Sequence, residues 1–201
     1  MGTELEWKYD LPEALPDGDL LSWVPLRSRM VGTPRLYRMQ TTYYDTPDRA
    51  LSARGITLRR RLENNLSVIC AKAPLPGAAD PHARGEWELA GSDPAAALQE
   101  LVRQGAPSEL TELGRPVPVC GAAFVRTAVL LRFADGSAAE LALDHGKLFR
   151  AARSAPLHVL ELELKEGAPA ESLAFLRALA ERFSLEPQPK SKYARARSLC
   201  L

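Results

Sequence analysis

Charged and apolar residues alternate along several short stretches of this chain. The first is Glu4-Leu5-Glu6-Trp7-Lys8. The same two-residue spacing recurs at Arg59 and Arg61, at Arg84, Glu86 and Glu88, and at Glu161, Glu163 and Lys165, while Glu140 and Asp144 also share a face. In an extended strand that period sends the ionised side chains to one side and the apolar ones to the other. The pattern predicts strands over Glu4 to Tyr9, Gln40 to Tyr44, Ile56 to Glu63, Ser67 to Ala73, Arg84 to Leu89, Val125 to Phe133, Ala138 to Asp144, Lys147 to Ala151 and His158 to Lys165. Asn64-Asn65 and Asp135-Gly136 supply hairpin turns, His145-Gly146 separates two strands, and Pro74 to Pro81 reads as a loop. Helices are expected over Leu20 to Leu26 and from Ser92-Asp93-Pro94 through Arg103, with Ser92 as N-cap and Pro94 in the first turn. Two more follow: one after Gly167-Ala168-Pro169, where Leu173, Leu176, Leu179 and Phe183 recur at helical spacing, and one over Ser191 to Leu199.

About eight antiparallel strands with few helices favour a closed barrel, which exposes no edge and places alternate residues inside. The expected fold class is therefore α+β, mainly β: an eight-stranded antiparallel β-barrel with peripheral helices, as a single domain over residues 1–201. Either strand face can be the interior. A small protein usually buries the leucines of Glu161-Leu162-Glu163-Leu164-Lys165 and leaves the charges in water. If helices cover an apolar outer wall, the charges instead line a hydrated bore.

Composition narrows the choice of partner. Lysine and arginine number 26 against 25 acids, a net charge of +1, which gives no electrostatic footprint for nucleic acid or an anionic membrane. Cys70, Cys120 and Cys200 lack the spacing of a zinc site or a disulfide framework, which points to a reduced, cytoplasmic protein. The sequence has no basic start followed by an apolar run and no stretch of about 18 apolar residues, which argues for a soluble chain. His82, His145 and His158 are scattered and are assigned structural or surface roles, with only His145 near the candidate site through its neighbour Asp144. Tyr43, Tyr44, Trp7 and Trp87 are expected to pack the wall beneath helices, Arg60 to face outward, and Arg150 and Arg153 to lie in a solvated turn. No serine has a convincing histidine and acid partner.

An interior that concentrates carboxylates repels itself unless cations occupy it, and one that also concentrates arginine and lysine needs an anion. A metal ion with a polyphosphate meets both demands. Carboxylates suit Mg²⁺ or Mn²⁺, arginine offers forked donors to phosphate oxygens, and lysine adds a compact charge.

The residues also resemble a family, the CYTH domains or triphosphate tunnel metalloenzymes. Its N-terminal Glu-x-Glu-x-Lys signature is present as Glu4, Glu6 and Lys8. The likeness continues, in the family's order, through Tyr43-Tyr44-Asp45-Thr46-Pro47, Gly55-Ile56-Thr57-Leu58-Arg59-Arg60-Arg61, Lys72 and Arg84-Gly85-Glu86-Trp87-Glu88. It ends with Arg126, Leu143-Asp144-His145-Gly146, Leu160-Glu161-Leu162-Glu163-Leu164 and Ser191-Lys192-Tyr193-Ala194-Arg195. The resemblance implies an eight-stranded tunnel that binds a triphosphate or nucleoside triphosphate with one or two Mg²⁺ or Mn²⁺ ions, in a monomer or homodimer. It assigns Glu4, Glu6, Asp144, Glu161 and Glu163 to metal. Phosphate would be held by Lys8, Arg59, Arg61, Lys72, Arg84, Arg126 and Lys192, with Glu86 and Glu88 as tunnel acids of the substrate site. Lys192 rather than Lys190 falls on the Ser-Lys-Tyr pattern, and Ala196 stands where many members have glycine, a change expected to touch the last helix rather than the chemistry.

The reaction implied first is hydrolysis of inorganic triphosphate to pyrophosphate and orthophosphate. A second metal, or a tunnel carboxylate such as Glu163, would orient or deprotonate water, Arg59 and Arg61 would stabilise the departing pyrophosphate, and Lys8 would be an alternative base. Other chemistry shares the scaffold: a class IV type adenylate cyclase, a thiamine triphosphatase, or a binding module that captures polyphosphate or nucleotides without turnover. Thiamine triphosphatases of the family carry tryptophan two residues before the first arginine of the pair; here that residue is Thr57.

Overall fold

A computed structural model describes residues 2–75, 77 and 83–199. His82, Cys200 and most of the loop expected over Pro74 to Pro81 lie outside these residues. The chain runs β1 (Gly2–Asp10), α1 (Asp17–Ser22), α2 (Val24–Arg27), β2 (Met30–Asp45), α3 (Ala50–Ala53), β3 (Thr57–Glu63), β4 (Leu66–Pro74) and β5 (Ala83–Ala90). It continues with α4 (Pro94–Arg103), α5 (Glu109–Glu112), β6 (Val117–Arg132), β7 (Ala138–Arg150), β8 (Arg153–Glu166), α6 (Ala170–Phe183), β9 (Glu186–Pro187) and α7 (Lys192–Arg197). Hydrogen-bonded neighbours run β5-β4-β3-β2-β6-β7-β8-β1, and β1 also pairs with β5. Eight antiparallel strands thus close into a barrel, with the two-residue β9 appended to β1.

Closure leaves the apolar parity of each strand on the outside, where helices cover it. Leu58, Ile69, Ala71 and Trp87 of β3 to β5 pack with Ala97, Leu98 and Leu101 of α4 and Leu110 of α5. Across the barrel, Leu131, Leu141, Leu143, Leu160 and Leu162 pack with Phe175, Leu176 and Leu179 of α6, Leu20 of α1 and Leu26 of α2. Burying each large side chain of this kind contributes roughly 1.5–3 kcal/mol, so much of the stability of this fold lies outside its barrel. A third cluster is internal. Cys120, Ala122, Leu148, Leu157 and Val159 point inward and meet Tyr193 and Ala196 of α7, which plugs that end of the bore. Ala196 is fully buried there.

Several boundaries differ from the sequence reading. β2 and β6 each span 16 residues, because their pairing over most of their length extends them through segments that show no alternation. No break separates the strands around His145-Gly146: β7 is continuous, and a Cβ on Gly146 would come within 2.2 Å of the Ala123 carbonyl oxygen, so this glycine permits close approach of β6 rather than a turn. The N-cap of α4 is Asp93, not Ser92: its side chain accepts from Ala95 N at 3.0 Å. The segment Leu20 to Leu26 is split into two short helices at Trp23. By contrast the Asn64 turn forms as expected, with φ of 53° and its side-chain oxygen accepting from Arg38 N at 2.9 Å. Among the described residues no helix is long and apolar enough to cross a membrane.

If the outer face is the core, truncating it costs stability while leaving the bore intact. Leu162→Ala is expected to lower the unfolding free energy by about 2–5 kcal/mol in urea titrations, as for other buried leucines.

Candidate active site

Strand register fixes which side chains meet in the bore. Lys8 stands opposite Glu161, Glu4 opposite Arg84, Lys72 opposite Thr57 and Glu86, and Arg126 opposite Asp144. Cross-strand partners point the same way, so the charged parities of β1 and β3 to β8 converge on one cavity of about 510 Å³. Every sequence-assigned site residue except Asp144 lines it, and Asp144 lies fully buried just behind its wall. The outcome of the face question is that the charges are inside.

The most tightly bound part is built around two carboxylates. Arg126 forks onto Asp144, Nε to Oδ1 at 2.7 Å and a terminal nitrogen to Oδ2 at 2.8 Å, and that same nitrogen reaches Glu161 Oε2 at 2.6 Å. Lys192 enters from α7 to contact Asp144 at 2.8 Å and Glu161 at 2.5 Å. Ser191 sets the start of that helix by accepting from Ala194 N at 3.1 Å. Burial alone would raise the Glu161 carboxyl, but Lys192 and then Arg126 hold it well below the usual carboxylate range.

On the opposing strands, Lys72 binds Glu4 and lies 3.3 Å from Glu86, Arg59 reaches Glu86 at 3.4 Å, and Arg61 reaches Glu88 at 2.9 Å. Burial pushes Glu4 up, reinforced by Glu6 beside it and opposed by Lys72. For Glu86 the balance is reversed. Burial is outweighed by Lys72 and Arg59, and the carboxyl falls to about 2. The buried thiol of Cys70 donates to Glu86 at 3.0 Å, and burial pushes it up to about 11, so it is a wall residue rather than a nucleophile. Arg84 is turned to other work: it donates to the backbone oxygens of Gly55 at 2.6 Å and Lys72 at 3.1 Å, tying the β3 entry to β4.

Two features mark this set as incomplete by itself. The Nε groups of Arg59 and Arg61 are buried without a hydrogen-bond partner among the described residues. Arg61 Nε has only Glu63 at 3.7 Å, beyond hydrogen-bond reach, and a buried guanidinium nitrogen without an acceptor costs free energy that an incoming anion would recover. Meanwhile Glu6, Glu163 and Glu140 stand Cα to Cα in one row across β1, β8 and β7. Like charges directly opposite destabilise a sheet, so the row favours a bound cation. Its flanking lysines neutralise two members, Lys8 at 2.7 Å from Glu6 and Lys165 at 2.7 Å from Glu163. Carboxylate oxygens suit a hard divalent ion, and the five that the resemblance assigns to metal are each engaged by a cation here: Glu4 by Lys72, Glu6 by Lys8, Asp144 and Glu161 by Arg126 and Lys192, and Glu163 by Lys165. A separate group, Cys70, Glu86 and Glu88, brings one ligand atom from each residue within 4.8 Å of the others.

The lining also includes Lys165, a member of the alternating charged face, and Thr41, which motif reading passed over, while Cys70 sits behind Glu86. Tyr43 corrects an expectation, because it faces into the tunnel and packs against Tyr193 with ring centroids 5.1 Å apart. Trp87, Tyr44 and Trp7 do pack on the outer wall. His145 is also corrected: it lies on the face of β7 away from Asp144, 2.9 Å from His158 and 2.7 Å from Asp17.

The family model for the CYTH domain matches residues 3–196. The chain belongs to the CYTH family. A curated relative, the inorganic triphosphatase of Haemophilus influenzae, is 28% identical over 138 residues, 69% of this CYTH chain and 39% of that protein, so the chain spans about two fifths of that relative's length. Among solved structures, a putative adenylyl cyclase from Hippeastrum described as having a dominant triphosphatase activity superposes with a TM-score of 0.61 at 17% identity, covering 100% of this chain and 97% of that one. A putative adenylate cyclase from Bacillus halodurans gives 0.54 at 16% identity, covering 95% and 96%. These likenesses show the fold of this CYTH domain.

The charge balance at Glu86 predicts a pH dependence. Its carboxyl is held at about 2 against a usual 4.5, so its contribution is present above 4.5 and is lost as the pH falls from 4.5 towards 2. Glu86→Gln is expected to remove up to about 3 kcal/mol of the drop in unfolding free energy between pH 5 and 2, measured by urea titration across that range.

Proposed function

We propose that this CYTH domain hydrolyses inorganic triphosphate to pyrophosphate and orthophosphate in its tunnel. The observation that carries the reading is the buried Nε groups of Arg59 and Arg61, which make no hydrogen bond among the described residues, set in a cavity that also presents Lys8, Lys72, Arg126 and Lys192 beside six glutamates. A linear anion with oxygens at both ends satisfies these donors together. Mg²⁺ or Mn²⁺, held by Glu4, Glu6, Asp144, Glu161 and Glu163, would neutralise phosphate charge and act as a Lewis acid.

The chain's own groups divide the remaining work. Glu163 orients water and accepts its proton as the water oxygen bonds to the terminal phosphorus. The bridging P–O bond breaks, and Arg59 and Arg61 take up the charge that develops on pyrophosphate. Lys8, opposite Glu161, positions the phosphoryl group and is the alternative base.

The tunnel's aromatic rings support an inorganic substrate. Tyr43 packs against Tyr193 with ring planes tilted by 39°, and the Phe124 ring lies 5.8 Å from the Arg126 guanidinium carbon and 5.3 Å from Lys192 Nζ. These rings are already engaged, and Thr57 offers no flat surface for a base or a thiamine ring. The competing reading, cyclisation of ATP to cyclic AMP, draws on the names of the Hippeastrum and Bacillus halodurans proteins.

Purified protein is expected to release orthophosphate from tripolyphosphate with Mg²⁺ or Mn²⁺, to stop when a chelator is added, and to lose about 10²-fold or more in kcat on Arg59→Ala. Chromatography of ATP incubations separates the readings. Cyclic AMP as the main product, or unchanged triphosphate under every divalent ion, would overturn the proposal.

A further inference from the structure

Behind the plugged end of the barrel lies a second cavity of about 380 Å³ whose cations have no acid to serve. Arg49, Arg150 and Arg197 all line it. None forms an ion pair with a carboxylate among the described residues. Its acid, Asp45, is buried and committed: Oδ1 accepts from Thr46 N at 2.8 Å and Leu51 N at 3.0 Å, and Oδ2 from Ser52 N at 3.3 Å and the Tyr193 hydroxyl at 3.0 Å. Arg49 and Arg197 are exposed and Arg150 is half-buried, and the guanidinium fork matches phosphate oxygens in geometry and charge.

The placement of these arginines is built into the fold. Arg150 ends β7 and donates one nitrogen to the carbonyls of Arg197 at 2.6 Å and Leu199 at 3.3 Å, which ties down the end of α7 and leaves its other donors for a ligand. Arg197 lies 5.6 Å from the centre of the Tyr193 ring. Arg49 precedes α3 with φ of 63°, a left-handed backbone that a non-glycine residue adopts only under constraint. Tyr193 lines this cavity and the tunnel alike, so its ring is the partition between them.

We propose that this cavity is a second anion site, taking orthophosphate or pyrophosphate on Arg49, Arg150 and Arg197. The tunnel reaction plays no part in the inference. A ligand there holds the C-terminal half of the helix whose first residue, Lys192, contacts Asp144 and Glu161. Occupancy at the back thereby stiffens the tunnel's cation.

The test is calorimetric titration of the full chain with pyrophosphate in metal-free buffer. With Arg59→Gln, Arg61→Gln and Lys72→Gln weakening the tunnel's grip, one pyrophosphate is still expected to bind, and adding Arg49→Gln with Arg197→Gln, which do not line the tunnel, weakens it at least about tenfold. Arg150 is left in place because it anchors α7. In the otherwise unaltered protein the Arg49→Gln and Arg197→Gln pair is expected to reduce the bound pyrophosphate from two to one. No binding in the tunnel-weakened protein, or a titration unchanged by the second pair, overturns the site. Failure of the tunnel substitutions to affect binding would count against the tunnel reading alone.

Discussion

Charges inside a barrel persist only where each is held by an opposite charge or by a ligand that supplies one, and this requirement organises the whole molecule. Asp144 shows the constraint at its sharpest. It is completely buried, and removing an ionised carboxylate from water is tolerable only because Arg126 and Lys192 bracket it. Because Lys192 arrives on α7, the last helix of the chain is part of the electrostatic balance of β7 and β8 as well as a plug.

The same constraint explains why the hydrophobic core is displaced. Inward positions are spent on charge over most of the bore, so Leu131, Leu141, Leu143, Leu160 and Leu162 face out and need α1, α2 and α6 to cover them, while α4 and α5 cover β3 to β5. Much of the stability is supplied by the outer layers, and the interior is left polar enough to take up an anion and its counter-ions. Arg59 and Arg61 carry buried Nε groups that make no hydrogen bond among the described residues, and pre-placed donors of this kind are what an anion-binding cavity requires.

Sites on either side of Tyr193 share one helix. Its ring packs against Tyr43 towards the tunnel, and its hydroxyl binds Asp45 towards the back cavity. A short helix capped by Ser191 and fastened by Arg150 thus links two clusters of cations through rigid contacts rather than through a loop.

The alternation of charged and apolar residues was legible in the sequence and determined which side chains travel together: once Arg59 faces one way, Arg61 must follow, and Leu58 must face the other way, since successive Cβ atoms on a strand point to opposite sides. The order of motifs likewise carried the family and the candidate residues. Sequence alone left open which face is inside, because period two is identical for a wet bore and a wet exterior. Tertiary closure of β1 on β5 and the cover provided by α6 decided it. Pairing partners, and with them the shared grip of Arg126 and Lys192 on Asp144 and Glu161, come from residues 18 to 48 positions apart. The same holds for the continuity of β7 through Gly146, where a neighbouring strand's approach, invisible in local pattern, replaces the turn that the dipeptide suggests.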